Sequence, residues 1–392
     1  MRPTAWGWRL GYERPAAGAR QRQVKPGQAL VTVGLIVGAL LQFGCARRET
    51  AAAGGAGLRI ARPLLSPAGD RLVLWVYGIQ DAQYRSRVFL LQLAPRDARV
   101  LATQSVGTSA VPLGWEEDGS HWLGLAREKR QLWRLPAEGG PGELLASVPS
   151  AEGAETLVLR AQAAGLRQGI VWITTGREGY ASAEVRRRAS NLWRLSSPGP
   201  GIEVFEPSAA LLRLVLAEPS RSPEVFFLRV GEDRHYCSLE RRSLAGGPAE
   251  VILSGLHLSR FSVDVGADGR VIAVYNSNTA KIEVYRRRDS RPVKHFEFGP
   301  FDSEPGHLTL SPNGSRLAVL GQGVTFLDLS RQQILRRPRP TDAGLAGIGW
   351  GPDSSWFLCS RDLSLVVLPA QGGRERRVWN LRDHGTDGQA VP

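Results

Sequence analysis

The sequence predicts an all-β protein, a seven-bladed β-propeller that follows an N-terminal signal or anchor segment. The first observation behind this is a unit at residues 307–339, HLTLSPNGSRLAVLGQGVTFLDLSRQQILRRPR. Its short apolar runs (308–310, 317–320, 324–329 and 334–335) are separated by Pro312-Asn-Gly-Ser315, by Gly321-Gln-Gly323 and by a polar turn. That alternation reads as four short antiparallel strands, a meander too small to bury its own faces. The Asn313-Gly314 pair predicts a tight hairpin with positive φ at its central residues.

The second observation is that the turn between the first two strands recurs. It stands as Ser66-Pro-Ala-Gly-Asp70, Glu116-Glu-Asp-Gly-Ser120, Gly266-Ala-Asp-Gly269, Ser311-Pro-Asn-Gly-Ser315 and Gly351-Pro-Asp-Ser354, with looser forms at 164–169 and 218–223. Apolar strands at 170–173 and 225–228 follow the two loose copies. The third observation is the third strand itself, at 88–93, 132–135, 192–195, 239–244, 282–285, 324–329 and 365–368. These starts lie 41 to 60 residues apart, the period of a four-stranded blade with variable loops. Repeats three and four match loosely, which leaves six or eight blades open.

At these residues the chain resembles the TolB-like propellers with WD-like repeats. The resemblance rests on Trp350-Gly-Pro-Asp353, Ser311-Pro-Asn-Gly314, Arg316-Leu-Ala-Val319, Phe326-Leu-Asp-Leu329 and the paired glycines 139–140, 246–247 and 372–373. It covers about residues 59–381. No repeat carries the Trp-Asp dipeptide of eukaryotic WD repeats. The resemblance implies the fold strongly and function weakly, because such propellers serve as scaffolds, as sensors and as gates on hydrolases.

In chain order, residues 1–45 come first. A basic lead (Arg9, Arg14, Arg20, Arg22, Lys25) precedes an apolar run at 29–41 and then Gln42-Phe-Gly-Cys45, which reads as an export signal ending at a small residue. Cleavage before Cys45 with lipid on its sulfur makes a lipoprotein; Gly44 fits that pattern and Gln42 does not. An uncleaved anchor is the other reading, since 29–45 just crosses a hydrocarbon core of about 30 Å. A true start at Val24 would explain the long basic lead. Either reading puts the propeller outside the cytoplasmic membrane or in the periplasm. Residues 46–58, with Ala51-Ala-Ala-Gly-Gly-Ala-Gly57, form a small-residue linker that builds no core. The propeller is expected at 59–381 and a disordered tail at 382–392, with 377–381 serving as the last outer strand unless residues near Leu58 take that place.

Composition narrows the partners. Six of the 50 Lys and Arg and one of the 37 Asp and Glu precede Cys45, so the net charge is +8 beyond Gly44 and +13 overall. Only Lys25, Lys129, Lys281 and Lys294 are lysines, a skew that points to coding composition and not to nucleic-acid binding. No nucleic-acid partner is expected. An anionic lipid, a wall polymer or an acidic protein is more plausible for an exported chain. Cys237 and Cys359 fall in the fourth and seventh repeats, too far apart across a ring to pair.

The search for chemistry is negative. The sequence has no Gly-x-Ser-x-Gly elbow, phosphate loop, His-Glu-x-x-His or Cys-x-x-Cys. No catalytic residue, metal site or cofactor is expected, and the chain ends after the seventh repeat, without room for a hydrolase domain. His121, His235, His257, His295, His307 and His384 are scattered over the repeats. Glu116, Glu117 and Asp118 read as a solvated turn, and Asp264 to Gly269 lacks the alternating acids of a calcium loop. Trp115, Trp133, Trp193 and Trp350 recur at equivalent positions and read as blade packing.

Loop length is what remains. Loops between second and third strands share one face of a propeller. They are tight at 321–323 and 361–364 and long at 78–87, 174–191 and 231–238. The long ones carry Tyr84, Arg85, Arg87, Arg177, Tyr180, Arg186, Arg187, Arg188, Arg234, His235 and Tyr236, an Arg/Tyr mixture enriched at protein interfaces. Three solvated loops are the plain alternative. The function expected is therefore a non-catalytic, membrane-tethered scaffold binding an envelope protein or polymer. The rival is a propeller enzyme (lactonase, lyase or glycosidase) with its site at the channel mouth, which converging carboxylates or histidines in the channel would favour.

Overall fold

The computed structural model describes residues 58–80, 83–106, 110–126, 130–148, 155–163, 169–176, 190–196, 201–207, 209–215, 222–231, 236–257, 261–276, 278–288, 291–299 and 306–384. Residues 1–57, which hold Cys45 and the expected export segment and linker, and residues 385–392 of the expected tail lie outside the described residues. Among those described, no helix is long and apolar enough to cross a membrane.

Seven four-stranded antiparallel sheets follow one another along the chain, each made of consecutive strands. Blade 1 is β1 (Arg59–Leu65), β2 (Arg71–Gln80), β3 (Gln83–Leu93) and β4 (Val100–Val106). Blade 2 is β5 (Val111–Trp115), β6 (His121–Ala126), β7 (Gln131–Pro136) and β8 (Glu143–Ser147). Blade 3 is β9 (Glu155–Ala163), β10 (Gly169–Gly176), β11 (Ser190–Ser196) and β12 (Gly201–Glu206). Blade 4 is β13 (Ala209–Val215), β14 (Glu224–Val230), β15 (Tyr236–Ser243) and β16 (Glu250–His257). Blade 5 is β17 (Phe261–Val265), β18 (Val271–Asn276), β19 (Lys281–Arg288) and β20 (Arg291–Phe298). Blade 6 is β21 (His307–Leu310), β22 (Arg316–Leu320), β23 (Val324–Asp328) and β24 (Gln333–Arg336). Blade 7 is β25 (Ala346–Trp350), β26 (Trp356–Arg361), β27 (Ser364–Pro369) and β28 (Arg376–Asn380).

The blade count is fixed by the core. Seven apolar clusters occur, and each straddles one boundary between neighbouring blades. One joins blade 7 (Trp356, Leu358, Leu365, Val367, Trp379) to blade 1 (Leu72, Leu74, Phe89, Leu91), which closes the ring. The first strands adjoin in sequence, β1 to β5, β9, β13, β17, β21, β25 and back to β1, and so surround the axis. Every ladder between third and fourth strands contains a bulge, which raises the local twist of a blade. Cys237 and Cys359 are buried in different clusters and are not joined by a disulfide.

Ring closure uses no shared strand. β28 is the outer strand of blade 7's own sheet, and the seam with blade 1 is held by side chains. Trp356 Nε1 donates to Pro95 O at 2.9 Å, and Arg376 bonds Asp97 O. Where the tail was expected to begin, Leu381–His384 form a 3-10 turn, because Leu381 is buried in the seam and its N–H bonds Leu363 O at 2.9 Å.

Two local expectations change. The Asn313-Gly314 turn has positive φ only at Gly314, φ +64. Gly314 N bonds Ser311 O and Ser311 N bonds Arg316 O, while the Asn313 carboxamide oxygen accepts from Ser315 N at 3.0 Å. Pro312 sets the turn one residue earlier than a two-residue hairpin, and the glycine follows it. The segment 78–87 is not a loop: β2 and β3 continue through it, paired from Tyr77 with Ser86 out to Gln80 with Gln83. β1 and β4 pair with them only as far as Tyr77 and Val88, so among the described residues the outer part is a two-stranded ribbon without lateral partners.

Arginines fasten adjoining blades. Arg194 donates to Leu244 O (2.9 Å), Arg242 to Phe205 O (2.9 Å) and Glu206 (2.7 Å), and Arg339 to Gly373 O (2.6 Å). The planar fork reaches two acceptors at once, which an ammonium does not.

Candidate functional site

Glu116, Glu117 and Asp118 are consecutive in the β5–β6 turn, yet they face three environments. Glu116 is buried and takes a bidentate pair from Arg134, 2.7 Å at Oε1 and 2.8 Å at Oε2. That bond raises the Arg134 pKa. Asp118 caps the turn, accepting from Ser120 N (2.9 Å) and Ser120 Oγ (2.7 Å), and these bonds lower its pKa. Glu117, like Asp118, is exposed, so two of the three carboxylates are solvated as expected and Glu116 alone is buried; no three metal-ligating side chains come together among the described residues.

Ser120 and His121 lie beside Glu116 in a grouping that invites comparison with a nucleophilic triad. Ser120 Oγ is 2.7 Å from His121 Nδ1, and Glu116 Oε2 is 3.3 Å from the same nitrogen. A triad needs serine and carboxylate on opposite ring nitrogens, so that one takes the proton while the other steadies the ring. Here both press on Nδ1, and the Ser120 proton already has Asp118 as acceptor. A cavity of about 460 Å³ opens next to them, lined by Asp70, Arg71, Asp118, Ser120, His121 and Glu138. Arg71 spans it to Glu138 at 3.2 Å, tying blade 1 to blade 2.

The axial mouth on this turn face gathers polar side chains from the ends of four first strands. Gln162 Oε1 (blade 3) accepts from Leu214 N (blade 4) at 2.7 Å, and Asp264 Oδ2 (blade 5) accepts from Leu310 N (blade 6) at 2.7 Å. Arg213 of blade 4 lies 3.8 Å from Asp264 Oδ1. Glu117 belongs to blade 2 and Arg213 to blade 4, with blade 3 between them. Burial pushes the Glu117 carboxyl up and Arg213 offsets part of that. Glu117 is exposed and the Arg213 side chain is partly buried, so solvent reaches both groups at this mouth.

Of the expected loop residues, Tyr180, Arg186, Arg187, Arg188 and His235 lie outside the described residues, as do the side chains of Tyr84 and Arg85. Arg87 is half-buried in β3. Tyr236 opens β15 with 45% exposure beside the fully buried Cys237. Blade 1's ribbon adds backbone to this face: β2 and β3 have 10 and 11 residues, against 6 each in β6 and β7 and 5 each in β22 and β23.

The sequence reading passed over Gln162 and Arg213 and set Glu117 and Asp264 aside. The available signal was positional, since Gln162, Asp264 and Thr309 each stand one residue before the end of a first strand.

No family model matches the chain, and no curated protein is similar in sequence. Solved structures are similar in fold. An oligogalacturonate lyase in complex with manganese aligns at 12% identity and TM-score 0.53, covering 80% of this chain and 91% of that one. The Dos1 propeller aligns at 10% identity and TM-score 0.50, covering 82% and 85%. A Pyrococcus horikoshii acylaminoacyl peptidase aligns at 11% identity and TM-score 0.54, covering 83% of this chain and 52% of the peptidase. The chain is a seven-bladed β-propeller. Identities this low carry the fold alone, and the fold hosts both enzymes and binding modules.

Proposed function

We propose that this propeller is a non-catalytic, membrane-tethered binding protein of the bacterial cell envelope, held by lipid on Cys45 and presenting its loop face to a protein or polymer. The observation that carries the reading is the blade 1 ribbon. Among the described residues it extends past its lateral partners by three residues on β2 and five on β3, and the three β2 residues span about 10 Å at 3.3 Å per residue. A two-stranded ribbon is marginally stable in water and leaves both edges open, so a partner gains backbone hydrogen bonds there. Tyr236, at the start of β15, is exposed on this face.

The test replaces residues 78–85 by Asn-Gly and places a photo-crosslinker at Tyr236. The expected result is a discrete envelope adduct that the shortened ribbon loses. Adducts unchanged by the shortening would overturn the reading. Tethering is read separately by the intact mass of membrane-extracted protein: an acylated chain beginning at Cys45 supports it, and a chain retaining residues 1–44 without acyl mass does not.

Glu117 and Asp264, converging on Arg213, favour a second reading, a propeller enzyme of the lactonase, lyase or glycosidase kind acting at the channel mouth. In that case Glu117→Gln abolishes turnover of lactone or glycoside substrates by the purified protein.

A further inference from the structure

We propose that the axial mouth binds a carboxylate group on the Arg213 guanidinium. This site is on the face opposite the loop surface, so it does not depend on the scaffold reading; it is the same channel mouth that the enzyme reading uses.

Arg213 offers five N–H donors. It makes no hydrogen bond among the described residues, and its ion pair with Asp264, at 3.8 Å, is longer than one. Several other partly buried arginines hold their carboxylates much more closely. Arg134, Arg229, Arg241, Arg242 and Arg336 each bond a carboxylate at 2.5 to 2.9 Å. Asp264 cannot move onto Arg213 freely, because its other oxygen holds Leu310 N. With a side chain 22% exposed, Arg213 is partly buried yet its donors stay open to solvent and so to a ligand. A planar, singly charged oxyanion matches the fork.

Glu117 decides which anion fits. The neighbouring acids are engaged elsewhere, Glu116 by Arg134 and Asp118 by Ser120, and Gln162 of β9 is occupied by Leu214 N. Asp264 of β17 is the other carboxylate facing Arg213. The Glu117 carboxyl is already held above its ordinary pKa, so an anion bound near it favours its protonation further and couples binding to proton uptake. Two acids at the mouth disfavour a dianion such as a phosphate monoester. The carboxylate of an acidic sugar and that of a peptide C-terminus share this chemistry.

Calorimetry on the full chain in detergent tests this with D-galacturonate and N-acetylglycine, against neutral D-galactose and N-acetylglycinamide. At least one acid should bind, its neutral counterpart should not, and affinity should be higher at pH 5 than at pH 7 with proton uptake. Arg213→Gln should weaken binding about tenfold or more. Arg213→Lys, which keeps the charge and loses the fork, should also weaken it and covers the case in which the glutamine variant misfolds. Glu117→Gln imitates the neutral carboxyl; it should bind at pH 7 as the wild type does at pH 5, with the pH dependence gone. Galacturonate alone binding identifies an acidic sugar, N-acetylglycine alone a peptide end, and both the bare carboxylate. Acids no better than their neutral counterparts, or binding indifferent to both Arg213 variants, would overturn the proposal. Loop-face adducts should be unchanged in these variants.

Discussion

The indole nitrogen of Trp115, at the end of blade 2's first strand, donates to the carbonyl oxygen of Leu64 in blade 1 at 2.8 Å. Trp350 repeats the bond from blade 7 to Thr309 O of blade 6, also at 2.8 Å. The Trp before the turn is therefore a rivet between first strands as well as core, and Trp350 packs on Phe326 and Phe357 besides.

Trp115→Phe should cost about 1–3 kcal/mol, since it strands a partly buried carbonyl and leaves a gap. Trp193 provides the contrast: its buried indole N–H has no partner among the described residues. Trp193→Phe should cost less, about 1 kcal/mol or below. Urea denaturation of both variants reads the difference, and equal costs would remove the rivet role.

Asp342, in the turn between blades 6 and 7, has a fully buried side chain bound by Arg336 at 2.5 and 2.7 Å and by Arg339 N at 2.9 Å. Burial pushes its pKa up, but the Arg336 guanidinium and the Arg339 and Val324 N–H groups outweigh it and hold it below the ordinary value. The folded state therefore favours the ionised form. Its contribution is complete above the unfolded carboxyl's pKa of about 3.9 and lost as pH falls through the lower folded value. Asp342→Asn should destabilise by about 3–5 kcal/mol at pH 7, leaving Arg336 buried without its counter-charge. The wild-type advantage should shrink steadily in acid-unfolding titrations below pH 4.

Ser354 occupies the turn position that Gly69, Gly119, Gly269 and Gly314 hold in other blades, at φ +61. It is 1% exposed, and its hydroxyl has no partner among the described residues. Ser354→Gly relieves the left-handed strain and the unmet hydroxyl, and should stabilise by about 1 kcal/mol, read as a higher Tm. At Gly69 the reverse change fails, because a Cβ there would lie 2.4 Å from Pro352 Cδ.

Cys237 and Cys359 should resist alkylation in the native protein and react fully in denaturant. Burial pushes the Cys359 thiol up, so the reactive thiolate is scarce. Rapid native labelling of either, followed by mass spectrometry, would contradict the burial.

The blades were legible because each repeats a local signal, a Pro/Asp/Gly turn flanked by apolar runs. Even the loose copies near 164 and 218 precede strands β10 and β14. The ribbon was misread because Gly78 looks like a turn residue, whereas pairing with Arg85 carries the strands onward. The axial cluster was hidden for a different reason. Glu117, Arg213 and Asp264 lie far apart in sequence and meet only when seven sheets close around an axis, so no window of sequence contains them. The arginine excess likewise revealed its use only through acceptors on neighbouring blades.

The seam between blades 7 and 1 has a consequence for biogenesis. With no strand exchanged across it, every blade is a contiguous piece of chain, and the ring has no built-in latch that a terminus must thread. While the chain emerges, blade 1 therefore keeps one apolar flank uncovered until residues 346–380 arrive last. A nascent chain halted before Ala346 presents two raw flanks instead of one sealed seam, and it is there that a chaperone or a protease would recognise unfinished work.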